Sequence, residues 1–180
     1  MQSDRRNDLT IGRMATPIGD LILVSDAGGV LVGSDYADHE SRLHQLLTRR
    51  LGGYDLVSAS VPTATRSAVD AYFAGELSAI DTIPVRLNGS PFQNLAWAAL
   101  RQIPPGQPAS YGNQAARIGN PKAARAVGSS NHNNPYNLIV PCHRVIGSGG
   151  ALTGYAGGLE RKRWLLDHER HHAKSRTHLL

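Results

Sequence analysis

The sequence predicts an α+β protein in two parts, a small strand-and-helix unit followed by a mainly helical one. Three observations carry this. Residues 12–35 hold short apolar runs separated by a turn, the pattern of a β-hairpin or meander. Residues 38–51 and 63–77 carry apolar side chains at helical spacing. Beyond a proline-containing segment, three short helical patterns lead into an irregular, glycine-rich stretch. At 180 residues the chain is long enough for one generous domain or two small ones.

In the first part, Leu21-Ile22-Leu23-Val24 and Val30-Leu31-Val32-Gly33 flank the turn Asp26-Ala27-Gly28-Gly29. Leu43, Leu46, Leu47 and Leu51 mark the first helix, and Val69, Tyr72, Phe73 and Leu77 one face of the second. Strands followed by helices suggest a small α+β domain over residues 1–85. Ile83 to Pro91 holds two prolines and a glycine, which places a linker at 86–91. The second unit is expected over 92–170, with a basic tail at 171–180 that is partly disordered.

Phe92 to Ile103 is the first helix of that unit, with Leu95, Leu100 and Ile103 apolar, and Pro104-Pro105-Gly106 ends it. Ser110 is the expected N-cap of a helix over Tyr111–Ile118. Gly119-Asn120-Pro121 makes a tight turn, with Asn120 capping a third helix that runs from Pro121 to about Asn131. Two helices joined by a short glycine-containing turn form a helix-turn-helix signal. In the third, Ala123, Ala124, Ala126, Gly128, Ser129 and Ser130 are small, so it lies close to whatever it faces. That is either a neighbouring helix or a nucleic-acid groove. Arg125 projects from this low surface, placed to contact phosphate or fill a gap in a base stack.

Charge separates the two parts. Residues 1–85 carry 7 Lys+Arg against 11 Asp+Glu, a balance of −4; residues 86–180 carry 12 against 3, a balance of +9. A basic half beside an acidic one points to a polyanion partner for the basic half. Composition is that of a globular protein, 41% hydrophobic and 18% charged. No apolar run approaches a membrane span, and the polar N-terminus lacks a signal core, so the expected location is cytoplasmic. The single cysteine excludes an intramolecular disulfide and a multi-cysteine zinc site.

That cysteine lies in Val140-Pro141-Cys142-His143-Arg144-Val145, where a strand-like apolar run is expected to deliver it to a proline-marked bend. A lone thiol is most often a small buried hydrophobe, and two basic neighbours most often lie on the surface. A reactive thiolate needs a base and a positive environment. His143 supplies a base in sequence. Neighbours on an extended chain point apart, so a water or a bend at Pro141 has to connect them.

Pro141-Cys142-His143-Arg144-Val145 resembles the active-site motif of the O6-alkylguanine-DNA alkyltransferases, also called methylated-DNA–protein-cysteine methyltransferases. Further features occur in the family's order: Tyr72-Phe73-Ala74-Gly75, Phe92-Gln93, Trp97, Ile103-Pro104-Pro105-Gly106, Ser110-Tyr111-Gly112, Arg125-Ala126-Val127-Gly128, Asn134-Pro135, Tyr155-Ala156-Gly157-Gly158-Leu159 and Trp164 to Glu169. The resemblance is strong over residues 70–170 and general before that. It implies a ribonuclease-H-like α/β N-terminal domain and a winged-helix-like, mainly α C-terminal one. It implies irreversible, single-turnover repair of O6-alkylguanine, and of O4-alkylthymine, with Cys142 as acceptor.

The same resemblance assigns the remaining roles. His143 is the relay that takes the thiol proton through a water, Glu169 orients it, and Asn134 braces the active-site turn. Arg125 is the finger that replaces a flipped base, and Tyr111 promotes flipping. Ala126 and Gly128 lie on the DNA-facing helix. The backbone carbonyls of Cys142 and Val145 accept the guanine amino group, the Ala156 N–H contacts O6, and Tyr155 walls the pocket. The partner implied is double-stranded DNA, entered through the minor groove, with a flipped O6-alkylguanine. No metal or organic cofactor and no membrane is required, and the protein is expected to be a monomer, with cooperative binding left open. Some relatives hold a structural zinc through N-terminal cysteines, which this chain cannot copy. The competing readings are a non-enzymatic damage-binding protein, which would lack Cys142, a winged-helix regulator, which would not need Cys-His-Arg, and a cysteine hydrolase.

Overall fold

Short apolar runs build a four-stranded sheet at the start of the chain. The computed structural model describes residues 7–177; residues 1–6 and 178–180, the latter within the expected basic tail, lie outside the described residues. Strands β1 (Asn7–Met14), β2 (Leu21–Ser25) and β3 (Leu31–Tyr36) pair antiparallel, and β4 (Tyr54–Ser58) pairs parallel with β1, giving the order β3-β2-β1-β4. Because successive side chains point to opposite faces, Leu21 and Leu23 join one core while Ile22 and Val24 join another. Helix α1 (Glu40–Leu51), entered through a short 3-10 turn at Ala37–His39, covers the second face with Leu43 and Leu47. Full burial of each such leucine contributes about 1.5–3 kcal/mol. The hairpin and α1 agree with the sequence reading. Strand β4 was not anticipated: it is short, at the sheet edge, and largely exposed.

The other face of the sheet packs against the rest of the chain. Helix α2 (Thr63–Phe73) stops before the expected residue 77, where the chain turns at Gly75 with φ 108°, yet Leu77 still enters the core. The expected linker is pinned along β3: Leu31 N donates to Pro84 O at 2.9 Å and Arg86 N to Leu31 O at 2.9 Å. One hydrophobic core therefore runs from Leu21, Leu23 and Tyr36 of the sheet through Tyr72 and Trp97 to Leu138, Cys142 and Leu165.

Helix α3 (Pro91–Leu100) starts from a reciprocal cap between Ser90 and Gln93 with proline in its first turn. It ends three residues earlier than expected. The apolar Leu95 is 56% exposed, because Ala96, Trp97, Ala99 and Leu100 hold the buried side. Ser110 caps α4 (Tyr111–Arg117), accepting from Asn113 N at 3.0 Å, as anticipated. Helix α5 spans Ala124–His132 and has no side-chain cap. The expected start at Pro121 with Asn120 as cap is corrected. Asn120 instead belongs to the turn that closes α4, donating to Ala115 O, and its own carbonyl accepts from Ala123 N. A pair of two-residue strands, β5 (Ala109–Ser110) and β6 (Val145–Ile146), runs parallel. Helix α6 (Leu159–Thr177) continues through most of the segment expected to be a disordered tail. Among the described residues no helix is long and apolar enough to cross a membrane.

Candidate active site

The segment 134–145 is a stapled turn rather than the strand-like run expected. Asn134 closes it from within: its Oδ1 accepts from Tyr136 N and its Nδ2 donates to Val140 O, both at 2.9 Å. Val140 O also accepts from Cys142 N at 2.8 Å, with Pro141 at φ −82° and ψ 68°, the geometry of an inverse γ-turn. Leu138 sits at φ 74°, a left-handed conformation that costs a non-glycine residue roughly 1–2 kcal/mol. Burial of Leu138, Ile139 and Val140 in the shared core holds it there. Cys142–Arg144 then form one 3-10 turn, which sends the three side chains in different directions.

Behind the cysteine lies a buried charge cluster. His143 Nε2 and Glu169 Oε1 are 2.8 Å apart, and both side chains are fully buried. Arg144 is buried as well, so the reading of two surface basics fails. Its Nε and Nη2 donate to Glu169 at 3.0–3.1 Å, and its Nη1 donates to Ile103 O at 2.9 Å. Tyr72 OH donates to the same Oε1 at 2.8 Å. Burial alone would push the Glu169 carboxyl up, but His143 and Arg144 hold it well below the usual carboxylate range. Burial lowers His143, against the pull of Glu169, so the ring rests neutral. With Nε2–H donating to the carboxylate, Nδ1 is the basic nitrogen, and it accepts no hydrogen bond from a described residue. Burial pushes the Cys142 thiol up, while the Asn134 amide, Arg42 and Lys162 pull it down.

In front lies a cavity of about 230 Å³ lined by Tyr111, Gly128, Asn131, His132, Cys142, Gly154, Tyr155 and Ala156. It brings together five of the residues expected at the site: Cys142, Tyr111, Gly128, Tyr155 and Ala156. Tyr111 is half-buried, and its OH donates to Thr153 O at 3.3 Å. Arg125 and Ala126 are exposed on α5 and stand outside the cavity. Val145 is buried and also outside it, and its carbonyl already accepts from Lys162 Nζ at 2.6 Å. Lys162, fully buried on α6, also donates to Thr153 O at 2.9 Å, so it ties the glycine-rich loop to the cysteine turn. The polar run Ser129–Asn133 faces partly inward. Asn131 exchanges amide hydrogen bonds with Gln114 at 2.8 and 3.0 Å, and Ser130 O accepts from Trp97 Nε1 at 2.9 Å.

Four groups escaped the sequence reading. Tyr72 and Arg144 belong to the charge cluster, and Lys162 to the loop. The fourth is a clamp from the first half of the chain. Arg42 on α1 donates to Asp35 at 2.7 Å and to the carbonyls of His132 and Asn134 at 2.6 and 3.0 Å. Ser34 pairs with the turn through Pro135 O and Asn137 N. Only Tyr72 and Arg144 carried a signal, since both lie inside quoted motifs.

Residues 91–171 match the family described as 6-O-methylguanine DNA methyltransferase, DNA binding domain. A methylated-DNA–protein-cysteine methyltransferase of Salmonella typhimurium is 48% identical over 159 residues, covering 87% of this chain and 93% of the relative. The chain belongs to the methylated-DNA–protein-cysteine methyltransferase family. The crystal structure of the Mycobacterium tuberculosis O6-methylguanine methyltransferase superposes with a TM-score of 0.75 at 39% identity, covering 91% of this chain and 94% of that one. A second structure of the mycobacterial protein, in complex with DNA, gives 0.74 at 40% identity, covering 92% and 94%. As its name states, a methylated-DNA–protein-cysteine methyltransferase passes a methyl group from DNA to a protein cysteine. The matched segment holds every residue expected at the site, whereas Asp35, Arg42 and Tyr72 lie before it.

Proposed function

We propose that this protein repairs O6-alkylguanine, and O4-alkylthymine, in double-stranded DNA by moving the alkyl group irreversibly to Cys142, once per molecule. One observation carries the assignment of the acceptor. The chain's single cysteine borders the cavity with a buried, neutral histidine and its carboxylate on the next residue and behind it. No other side chain offers the family's reaction a thiol.

In this mechanism the thiol proton passes to His143 Nδ1 through a water, while Glu169 fixes the ring through Nε2. The thiolate attacks the alkyl carbon in line, the carbon–O6 bond breaks, and guanine leaves. The base regains a proton, so the net change is exchange of the thiol hydrogen for the alkyl group. Tyr111 and the Ala156 N–H stabilise the leaving base. Tyr155 walls the pocket, and the Cys142 and Val145 carbonyls accept the guanine amino group, Val145 through its second lone pair. Asn134 braces the turn. Arg125, exposed at the start of α5, enters the stack as the base flips. Ala126 and Gly128 let that helix lie low in the minor groove.

We read residues 1–85 as a ribonuclease-H-like domain, 86–91 as a linker, 92–170 as a winged-helix-like transfer domain, and the protein as a monomer. The sheet order with its parallel β4 supports the first, and α3–α5 with the β5–β6 pair support the third. The test is intact mass after incubation with an oligonucleotide containing O6-methylguanine. One methyl per molecule on Cys142, absent in Cys142→Ala that still binds DNA, is expected. A protein that binds yet stays unmodified sinks the proposal.

A further inference from the structure

Asn137 lies between the sheet and the cysteine. Its Nδ2 donates to Asp35 Oδ1 at 2.7 Å, and its Oδ1 accepts from Cys142 Sγ at 3.8 Å. Asp35 is fully buried on β3. Its Oδ1 also accepts from Tyr36 N at 2.9 Å, and its Oδ2 accepts from Arg42 at 2.7 Å. A carboxylate flanked by donors accepts and does not donate. Asp35 can therefore meet only the NH2 end of the Asn137 amide, which turns the oxygen end toward the sulfur. A thiol donates to that oxygen. A thiolate has no hydrogen to give and meets its lone pairs instead, so the contact favours the neutral form.

We propose that Asp35 and Asn137 are positioning residues that hold Cys142 as an unreactive thiol until substrate arrives. The alkylated base then turns the thiol away from Asn137, and its proton passes toward His143. This rests on Cys142 being the acceptor. The other groups around the sulfur act in both directions. Arg42 of α1, Lys162 of α6 and the Asn134 amide favour the thiolate; Asp35 disfavours it. The hydroxyls of Tyr36 and Tyr155 are un-ionised, each pushed up by burial. His143 is neutral, and Tyr111 faces the cavity. The Asn137 oxygen offsets part of the cationic pull, which would otherwise leave a suicide acceptor open to stray electrophiles.

The test is the pH dependence of Cys142 modification by iodoacetamide in the free, folded protein, read by intact mass. Asn137→Leu keeps the branching of the side chain and removes the acceptor. Its profile is expected to move down by about one pH unit; a tenfold larger thiolate fraction, offset by lower intrinsic nucleophilicity, leaves roughly a threefold faster reaction below the midpoint. Asn137→Ser, too short to bridge, is expected to move the same way, and it serves if the leucine variant does not fold. An unchanged or raised midpoint in a folded variant, even one that melts earlier, overturns the proposal. Iodoacetamide reports on the thiol whatever the natural donor is. Failure here leaves the repair reading intact, and failure of the methylated-oligonucleotide assay does not move this profile.

Discussion

Glu169→Gln keeps the side chain's shape and removes one charge from the buried cluster. In the native site Oε1 accepts from Tyr72 OH, His143 Nε2, and Arg144 Nε and Nη2. The variant leaves the Arg144 guanidinium, 1% exposed, with Ile103 O and a neutral amide as its only acceptors among the described residues, and it turns an NH2 donor toward other donors. Breaking a buried ion pair by removing one partner costs about 3–5 kcal/mol. In a chain of this length each kcal/mol lowers the melting temperature by about 2–4 °C, so the expected loss is about 6–20 °C. His143 also loses the acceptor that fixes its tautomer, and single-turnover transfer is expected to slow about 100-fold, the low end of what a positioned base contributes. The assay pairs thermal unfolding at neutral pH with transfer from a labelled oligonucleotide at a temperature where the variant is folded. Adding Arg144→Met removes the stranded cation, and the double variant is expected to recover at least half of the lost stability. A single variant that melts with the wild type, or a double variant as unstable as the sum of its parts, would refute the reasoning.

Acid is expected to destabilise the fold in two stages. His143 and His168 lie below their ordinary 6.5 when folded, so the unfolded chain takes up their protons first: stability is complete above that value and falls as pH drops below it. Glu169, held below its ordinary 4.5, adds stability present above that value and lost as pH falls through its folded one; melting temperatures from pH 8 to pH 3 check both stages. Gly157→Ala places a Cβ 2.6 Å from ring carbons of both Tyr155 and Tyr36. Overpacking of this kind costs about 1–3 kcal/mol, and the displaced Tyr155 ring is expected to slow transfer, both visible in a melt and a single-turnover assay. Arg125→Ala is expected to slow transfer from duplex DNA more than from free O6-methylguanine; equal slowing would count against a finger.

Local features were legible in the sequence where one side chain decides the outcome. Ser110 capped its helix as read, and the apolar runs around the turn at Asp26–Gly29 built the expected hairpin. Asn120-Pro121 misled because a proline suited to a first helical turn serves equally in a linking turn. Strand β4 escaped because an exposed edge strand keeps only part of its apolar pattern. In the site, Cys142, Tyr111, Gly128, Tyr155 and Ala156 could be collected by resemblance, and the structure lines one cavity with them. The charge cluster could not be read from spacing. Tyr72 and Glu169 are 97 residues apart, Asp35 and Asn137 102, and no local pattern announces which arginine will be buried. The 3-10 turn at Cys142 is set by the local Asn134 staple and by burial of Leu138, and only the second is a consequence of tertiary packing.

Helix α6 carries Lys162 and Glu169 seven residues apart, two turns and about 10 Å along one rod. The first grips the glycine-rich loop that borders the cavity, and the second grips the histidine that follows the cysteine. A single stretch of backbone thus acts as a gauge block, calibrating the loop at the cavity rim against the imidazole behind the cysteine. Inserting one residue between the two positions would rotate Glu169 by about 100° relative to Lys162. The pocket's frame would stay in place while the His143 ring lost its alignment, so insertions within these two turns should be far less tolerated than insertions beyond Glu169.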